Sequence, residues 1–219
     1  MTLTTINLTA LGQTVNLGTE VTGTLPTGNG GTGSTATTFV NAATNVTGTL
    51  ATANGGTGAT SFTAGITQYD EWLVTSSFTN DADPITSNWA RNAANTFAYI
   101  GSGMSQSSGI FTFPVTGIYK VEFFGRMAQG SSDERDIAAY IQKTVNNSSY
   151  DEASATESSI YKGSGSWFQS FYQAATIDVT DTGQRKVRFK IAVNTSSTET
   201  QCSGTLSSTG AKFTRLGDT

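Results

Sequence analysis

The chain has 219 residues, 13% of them charged, 36% hydrophobic and none histidine, with a formal charge of −4. The missing imidazole removes the commonest general base, the commonest metal ligand and every triad built on it, so an enzyme is not expected. The acidic balance, without a cluster of Lys and Arg, excludes an electrostatic grip on nucleic acid, and no apolar stretch reaches the length of a membrane span.

The first segment, residues 1–20, opens MTLTTINLTALGQTV, which lacks the basic flank and apolar run of a secretion signal. Ile6, Leu8, Leu11, Val15 and Leu17 form a sparse apolar series within it. Residues 21–69 then write one phrase twice. VTGTLPTGNGGTG at 21–33 and VTGTLATANGGTG at 46–58 differ only where Pro26 and Gly28 are replaced by Ala51 and Ala53. A phrase at fixed period marks one structural unit used more than once. Val, Gly and Leu alternate with Thr as in a short strand with one apolar face, and NGG supplies residues that turn tightly. One such unit buries little, so the region is either a flexible Gly/Ser/Thr linker or a surface covered by other copies of the chain. The recurrence of Val, Leu and Asn in register favours the second. Wrapping around a threefold axis would pack Val21, Leu25, Val46 and Leu50 near that axis.

These tandem TGTLPxxNGGTG phrases resemble those of bacteriophage fibre and tail-fibre proteins. The resemblance implies a trimeric virion appendage: residues 1–20 as a segment attaching to other virion structural proteins, residues 21–69 as a shaft, and a location in the virion.

Composition changes at the end of the repeats. Glu20 is the only charged residue before residue 70, Tyr69 is the first Tyr and Trp72 the first Trp. Residues 70–219 therefore read as the domain with its own core. Strands are expected at 71–79, 97–101, 109–115, 119–128, 137–145, 167–179, 186–193 and 211–217, a spacing that suggests a sandwich or jelly roll. KVRFKIAV (186–193) is the cleanest, with Val187, Phe189, Ile191 and Val193 alternating with Lys186, Arg188, Lys190 and Ala192. The segment 133–145 is ambiguous. Ile137, Tyr140, Ile141 and Val145 fall at helical spacing, but β-rich neighbours on both sides favour a strand.

In FTFPVTGIYKVEF (111–123), Pro114 stops one strand, Gly117 permits a turn, and Tyr119, Val121 and Phe123 point to one side of the next. Phe111, Pro114, Gly117, Tyr119 and Phe123 resemble the core signature of C1q/TNF-like jelly rolls. The resemblance implies an all-β jelly-roll sandwich carried by a repeat-containing shaft, and a homotrimer.

Acidic residues at 81/83, 133/134/136, 151/152 and 178/181 have neither calcium-loop spacing nor the context of a hydrolytic pair, so no metal and no cofactor is expected. The lone cysteine, Cys202, reads as a small half-buried residue. Aromatics are more informative. In GSGSWFQSFYQ, Trp167, Gln169 and Phe171 would face one way and Phe168, Ser170 and Tyr172 the other, too many for one buried face. One set would fill the sandwich while the other packs at an interface between copies or meets a receptor or glycan. The polar stretches 146–159 and 194–201 read as long loops suited to contacts, which adds Tyr150, Asp151 and Glu152 to the contact candidates. The resulting expectation is a trimeric fibre or spike whose knob touches the host surface, with glycans among the surfaces considered. The alternative is a capsid or tail decoration protein.

Overall fold

A computed structural model of the chain describes residues 65–92, 97–203 and 206–219. The shaft positions Val21, Leu25, Val46 and Leu50 lie outside these residues. Twelve strands are present among the described residues, and no helix: β1 (Tyr69–Val74), β2 (Phe78–Thr79), β3 (Trp89–Arg91), β4 (Ser105–Ser107), β5 (Ile110–Thr112), β6 (Gly117–Ala128), β7 (Glu134–Thr144), β8 (Asp151–Ile160), β9 (Phe168–Val179), β10 (Lys186–Val193), β11 (Glu199–Gln201) and β12 (Gly210–Gly217).

They form two antiparallel sheets. The first runs β2-β11-β6-β12-β1-β3, with β9 on the other side of β6; the second runs β4-β5-β10-β7-β8. The 12-residue strand β6 organises the first sheet. One of its edges pairs along its whole length with β9, from Gly117↔Val179 to Ala128↔Phe168. The other edge is shared: β12 takes it up to Phe124 and β11 continues from Arg126 to Ala128. The chain leaves β11 at Gln201 and enters β12 at Gly210. Thr209 bridges the gap, its hydroxyl donating to the Gln201 carbonyl at 2.6 Å.

The inner faces meet in an aromatic core. Phe111, Phe113, Tyr119, Phe123, Phe189 and Phe213 are all buried, and the Phe111 ring lies 5.0–5.5 Å from those of Trp72, Trp89, Phe189 and Phe213. Offset and edge-on pairs of this kind add to the burial of the rings themselves. At the start of β6, Gly117 has φ of 139°, and a Cβ there would lie 2.5 Å from the Gly217 carbonyl oxygen. Only glycine fits, which explains the Pro-Val-Thr-Gly turn in physical terms. The Tyr119 hydroxyl closes the same turn by donating to the Val115 carbonyl at 3.0 Å.

The jelly-roll sandwich is thus as expected, but its strands differ in several places, among them the short strands β3 and β4, which no expected segment covers. The expected strand 71–79 is two, β1 and β2, broken at residues 75–77. The expected strand 97–101 amounts to an isolated bridge, Tyr69↔Ile100, because Gly101 and Gly103 turn the chain at positive φ. Residues 151–160, expected within a long loop, form the edge strand β8, and residues 199–201 form β11. β8 escapes notice because it has no bulky apolar residue before Ile160: Ser154, Thr156 and Ser158 share the inner face of the sheet with Ile141, Ala139 and Ile137. The ambiguous segment is the strand β7. Ile137, Ala138 and Ala139 are buried in succession, and that two-sided burial mimics helical spacing.

Candidate functional site

The order of the strands sets up two ends. At the proximal end the described chain enters β1, β12 finishes, and β7 turns into β8. At the far end the loops 129–133, 161–167 and 194–198 come together, since Ala128 pairs with both Phe168 and Glu199 while Glu134 pairs with Ile160.

The far loops are tied to one another. Gln129 donates its backbone N–H to the Trp167 carbonyl at 3.0 Å and its side-chain amide to the Gly165 carbonyl at 2.6 Å. Ser131 donates its N–H to the Ser197 hydroxyl at 2.8 Å, the Lys162 N–H reaches Asp133 at 2.6 Å, and the Lys162 ammonium reaches the Ser131 carbonyl. Beneath them lies Glu134, 1% exposed, accepting from the backbone N–H groups of Asn194 (2.8 Å) and Thr195 (2.7 Å) and from the Thr198 hydroxyl (2.7 Å). Burial alone would raise the pKa of this carboxyl, but those hydrogen bonds outweigh it and hold it below the usual range. An ionised carboxylate, which only accepts, can take all three at once.

On this scaffold sit exposed aromatic residues. Tyr161 is 74% exposed, and Trp167 and Phe168 are 49% exposed each. The Arg126 guanidinium lies 4.9 Å from the Phe168 ring centre. Phe168 opens the outward row of β9, which continues through Ser170 and Tyr172. Phe171 points the other way, into the core. The alternation expected for this strand is therefore present, except for Trp167, which precedes the strand and belongs to the loop.

Tyr172 lies opposite Phe124 of β6 on the outer face of the first sheet. Its hydroxyl donates to the Glu122 carboxylate, which also receives the Lys120 ammonium at 2.9 Å. Burial works against ionisation of Glu122, yet these two donors keep its pKa lowered. Farther across the same face, Tyr69 donates to Glu71 at 3.3 Å, and burial followed by that neighbouring charge pushes the phenol up to about 12. An open cavity of about 400 Å³ beside Phe124 is lined by Gly125, Arg126, Ser170 and Leu206 among others.

Tyr150, Asp151 and Glu152 are not part of either arrangement. They sit at the proximal end of the second sheet, where Lys143 pairs with Asp151. β8 carries the chain from there to Ile160, about 30 Å at the usual rise per strand residue. The Arg188 guanidinium covers the Tyr150 ring at 4.2 Å and pairs with Asp83 at 3.3 Å; Lys190 pairs with Asp83 at 3.4 Å and Glu152 at 3.7 Å. The contact candidates thus separate into Trp167 and Phe168 at the tip, Tyr172 on the first sheet, and Tyr150, Asp151 and Glu152 at the opposite end.

Sequence reasoning passed over Tyr161, Phe124 and Leu206. Phe124 had a readable signal, since it follows Phe123 in a strand and must face the other way. Among the described residues no group of three His, Cys, Asp or Glu is placed to hold a metal ion. Cys202 is half-buried and free, and burial pushes its thiol up to about 11.

No protein-family profile matches the chain, and no curated protein matches it. Solved structures do. The chain is similar to Eiger TNF from S. frugiperda at 12% identity, covering 69% of this chain and 93% of that one, with a TM-score of 0.50. Murine APRIL is matched at 13% identity, covering 68% of this chain and 98% of that one, with a TM-score of 0.48. At such identities the likeness is one of fold, the TNF-like jelly roll.

Proposed function

We propose that the chain is the subunit of a homotrimeric fibre or spike of a bacteriophage virion, and that its jelly-roll knob makes contact with the host surface. Contact is its task, not catalysis. The observation that carries the reading is the placement of Tyr161 and Trp167 on cross-tied loops, with Phe168 at the adjoining start of β9, at the end opposite the start of β1. The described chain enters β1 at one end of the knob and presents its exposed aromatics at the other. The repeated TGTLPxxNGGTG phrases supply the virion half of the proposal, with residues 1–20 docking on other structural proteins of the particle.

Homotrimers would form through the outer face of the first sheet. Tyr172 is 57% exposed there, beside Phe124 and the cavity that Leu206 helps to line, and an aromatic face of this kind is what obligate interfaces bury. Three knobs would then present three equal tips, and avidity would turn weak single contacts into stable adsorption.

The test is competition. Purified full-length chain, shown by light scattering to have three times the mass of one chain, should block adsorption of the phage to its host. Trp167→Ala should block poorly while keeping its mass. Particles that adsorb normally with that substitution but fall apart more easily would point to the decoration role instead.

A further inference from the structure

Three tryptophans occupy two kinds of place in this fold. Trp72 donates its indole N–H to Asp70 at 2.9 Å and Trp89 to the Ile85 carbonyl at 2.8 Å, as indoles committed to a fold do. The Trp167 indole has no such partner among the described residues, and half of its surface stays in solvent. It is nevertheless seated. Its Nε1 side rests on the backbone of Gly163, where a Cβ would come within 2.2 Å of Nε1 and 2.5 Å of Cε2. Gly163 needs no unusual φ, so the room it leaves for the indole is what a glycine contributes there. The loop is fixed again at Gly165 and Trp167 by Gln129.

The surroundings decide what such a ring could receive. Exposed in the same segment are Tyr161, Ser164 and Ser166. The charges of the tip nearly cancel, with Arg135 and Lys162 set against Asp133, Glu134 and Asp136. Two of these are already engaged: Glu134 is buried under its three donors, and the exposed Lys162 ammonium is held by the Ser131 carbonyl. Arg126 lies over Phe168. A pre-seated aromatic surface with neutral hydroxyls and no excess of positive charge suits a ligand with apolar C–H faces and neutral polar edges.

We infer that the 161–167 loop is a binding site for neutral glycan, with a sugar ring stacked on Trp167, Tyr161 as a second stacking surface, and Gly163 as the positioning residue. The inference rests on the far loops being the contact face, and it adds the chemical class that they would contact. Acidic glycans and protein surfaces are the competing occupants.

The experiment titrates the full-length chain with maltotetraose, cellotetraose and chitotetraose as neutral probes and tetragalacturonate as the acidic one, by calorimetry and by intrinsic fluorescence. At least one neutral probe should bind, with an affinity unchanged in about 0.5 M NaCl, where exposed charge pairs are screened. Trp167→Ala should weaken binding about tenfold or more, the loss expected of a central aromatic anchor, and Trp167→Phe should recover part of it. Gly163→Ala should also weaken binding while leaving the melting temperature unchanged, because the added methyl displaces only the indole. The inference is overturned if no neutral probe binds, if binding survives Trp167→Ala, or if only tetragalacturonate binds and salt abolishes it. The broader reading is separable: reduced adsorption by Trp167→Ala without any glycan binding removes the ligand class and keeps the contact face, whereas glycan binding with unchanged adsorption does the reverse.

Discussion

The two outer faces of the sandwich are made from the same ingredients and use them in opposite ways. On the second sheet, Arg188 and Lys190 lie over the rings of Tyr150 and Tyr140 and pair with Asp83, and Lys190 pairs also with Glu152. Ring and charge are answered within the chain. On the first sheet, Tyr172 and Phe168 stand exposed while Glu122, Lys120 and Glu71 are held by neighbours in the same face. The comparison teaches that aromatic content alone does not mark a contact surface. What distinguishes the first sheet is how much ring its own chain leaves in solvent: Tyr172 is 57% exposed, and Phe168 49% even with Arg126 over it.

The largest effect should come from removing what both faces share. Phe111→Ala is expected to destabilise the knob by about 3–5 kcal/mol, as for other large-to-small changes in a packed aromatic core. Urea denaturation would measure the loss, and both faces should be lost together in one transition. The contrast itself is tested by charge. Tyr172→Asp, on the face proposed to join copies, should convert the trimer to single chains in light scattering, whereas Tyr150→Ser on the second sheet should leave the mass unchanged. Trimers in both variants would remove the distinction between the faces.

A smaller effect concerns the base of the tip. The Glu134 carboxyl has its pKa lowered in the folded chain, so the stability it gives is fully present above its ordinary value near 4.5 and is lost as pH falls through the lowered folded value. Glu134→Gln should cost about 1–3 kcal/mol near neutrality, where a charge-assisted acceptor is replaced by a neutral one. It should also flatten the fall of melting temperature on acidification, and an unchanged slope would show that the carboxyl does not titrate with folding. The smallest effect belongs to the second sheet. Arg188 and Asp83 are partly exposed, so Arg188→Met should cost only about 0.5–1 kcal/mol, read as a shift of the urea midpoint.

How much of this could be read beforehand varied with where a segment buries its side chains. KVRFKIAV is buried on one face only, so its alternation marks both the strand β10 and its inner residues. β7 is buried on both faces around Ala138, so its pattern suggested a helix and only its neighbours identified a strand. β8 is an edge strand of small polar residues and read as a loop, so Asp151 and Glu152 stand on a strand where a loop was expected. Residues on one loop are close in space, but a strand carries its ends apart. For Trp167, Phe168 and Tyr172 the excess of aromatics over one buried face was the correct signal of exposure. The division between tip and sheet depended on the strand beginning at Phe168, one residue too late to include Trp167.

The placement of β1 sets how the knob would bear a mechanical load. It lies between β12, with five register pairs from Tyr69↔Thr214 to Leu73↔Gly210, and β3, with three more. Its first residue is at the proximal end, so a pull between the N-terminal chain and a grip at the far loops acts along the strand axis. The ladder bonds run across that axis. They would be sheared together, not unzipped one after another, so such a pull would strain both ladders at once before β1 could leave the sheet.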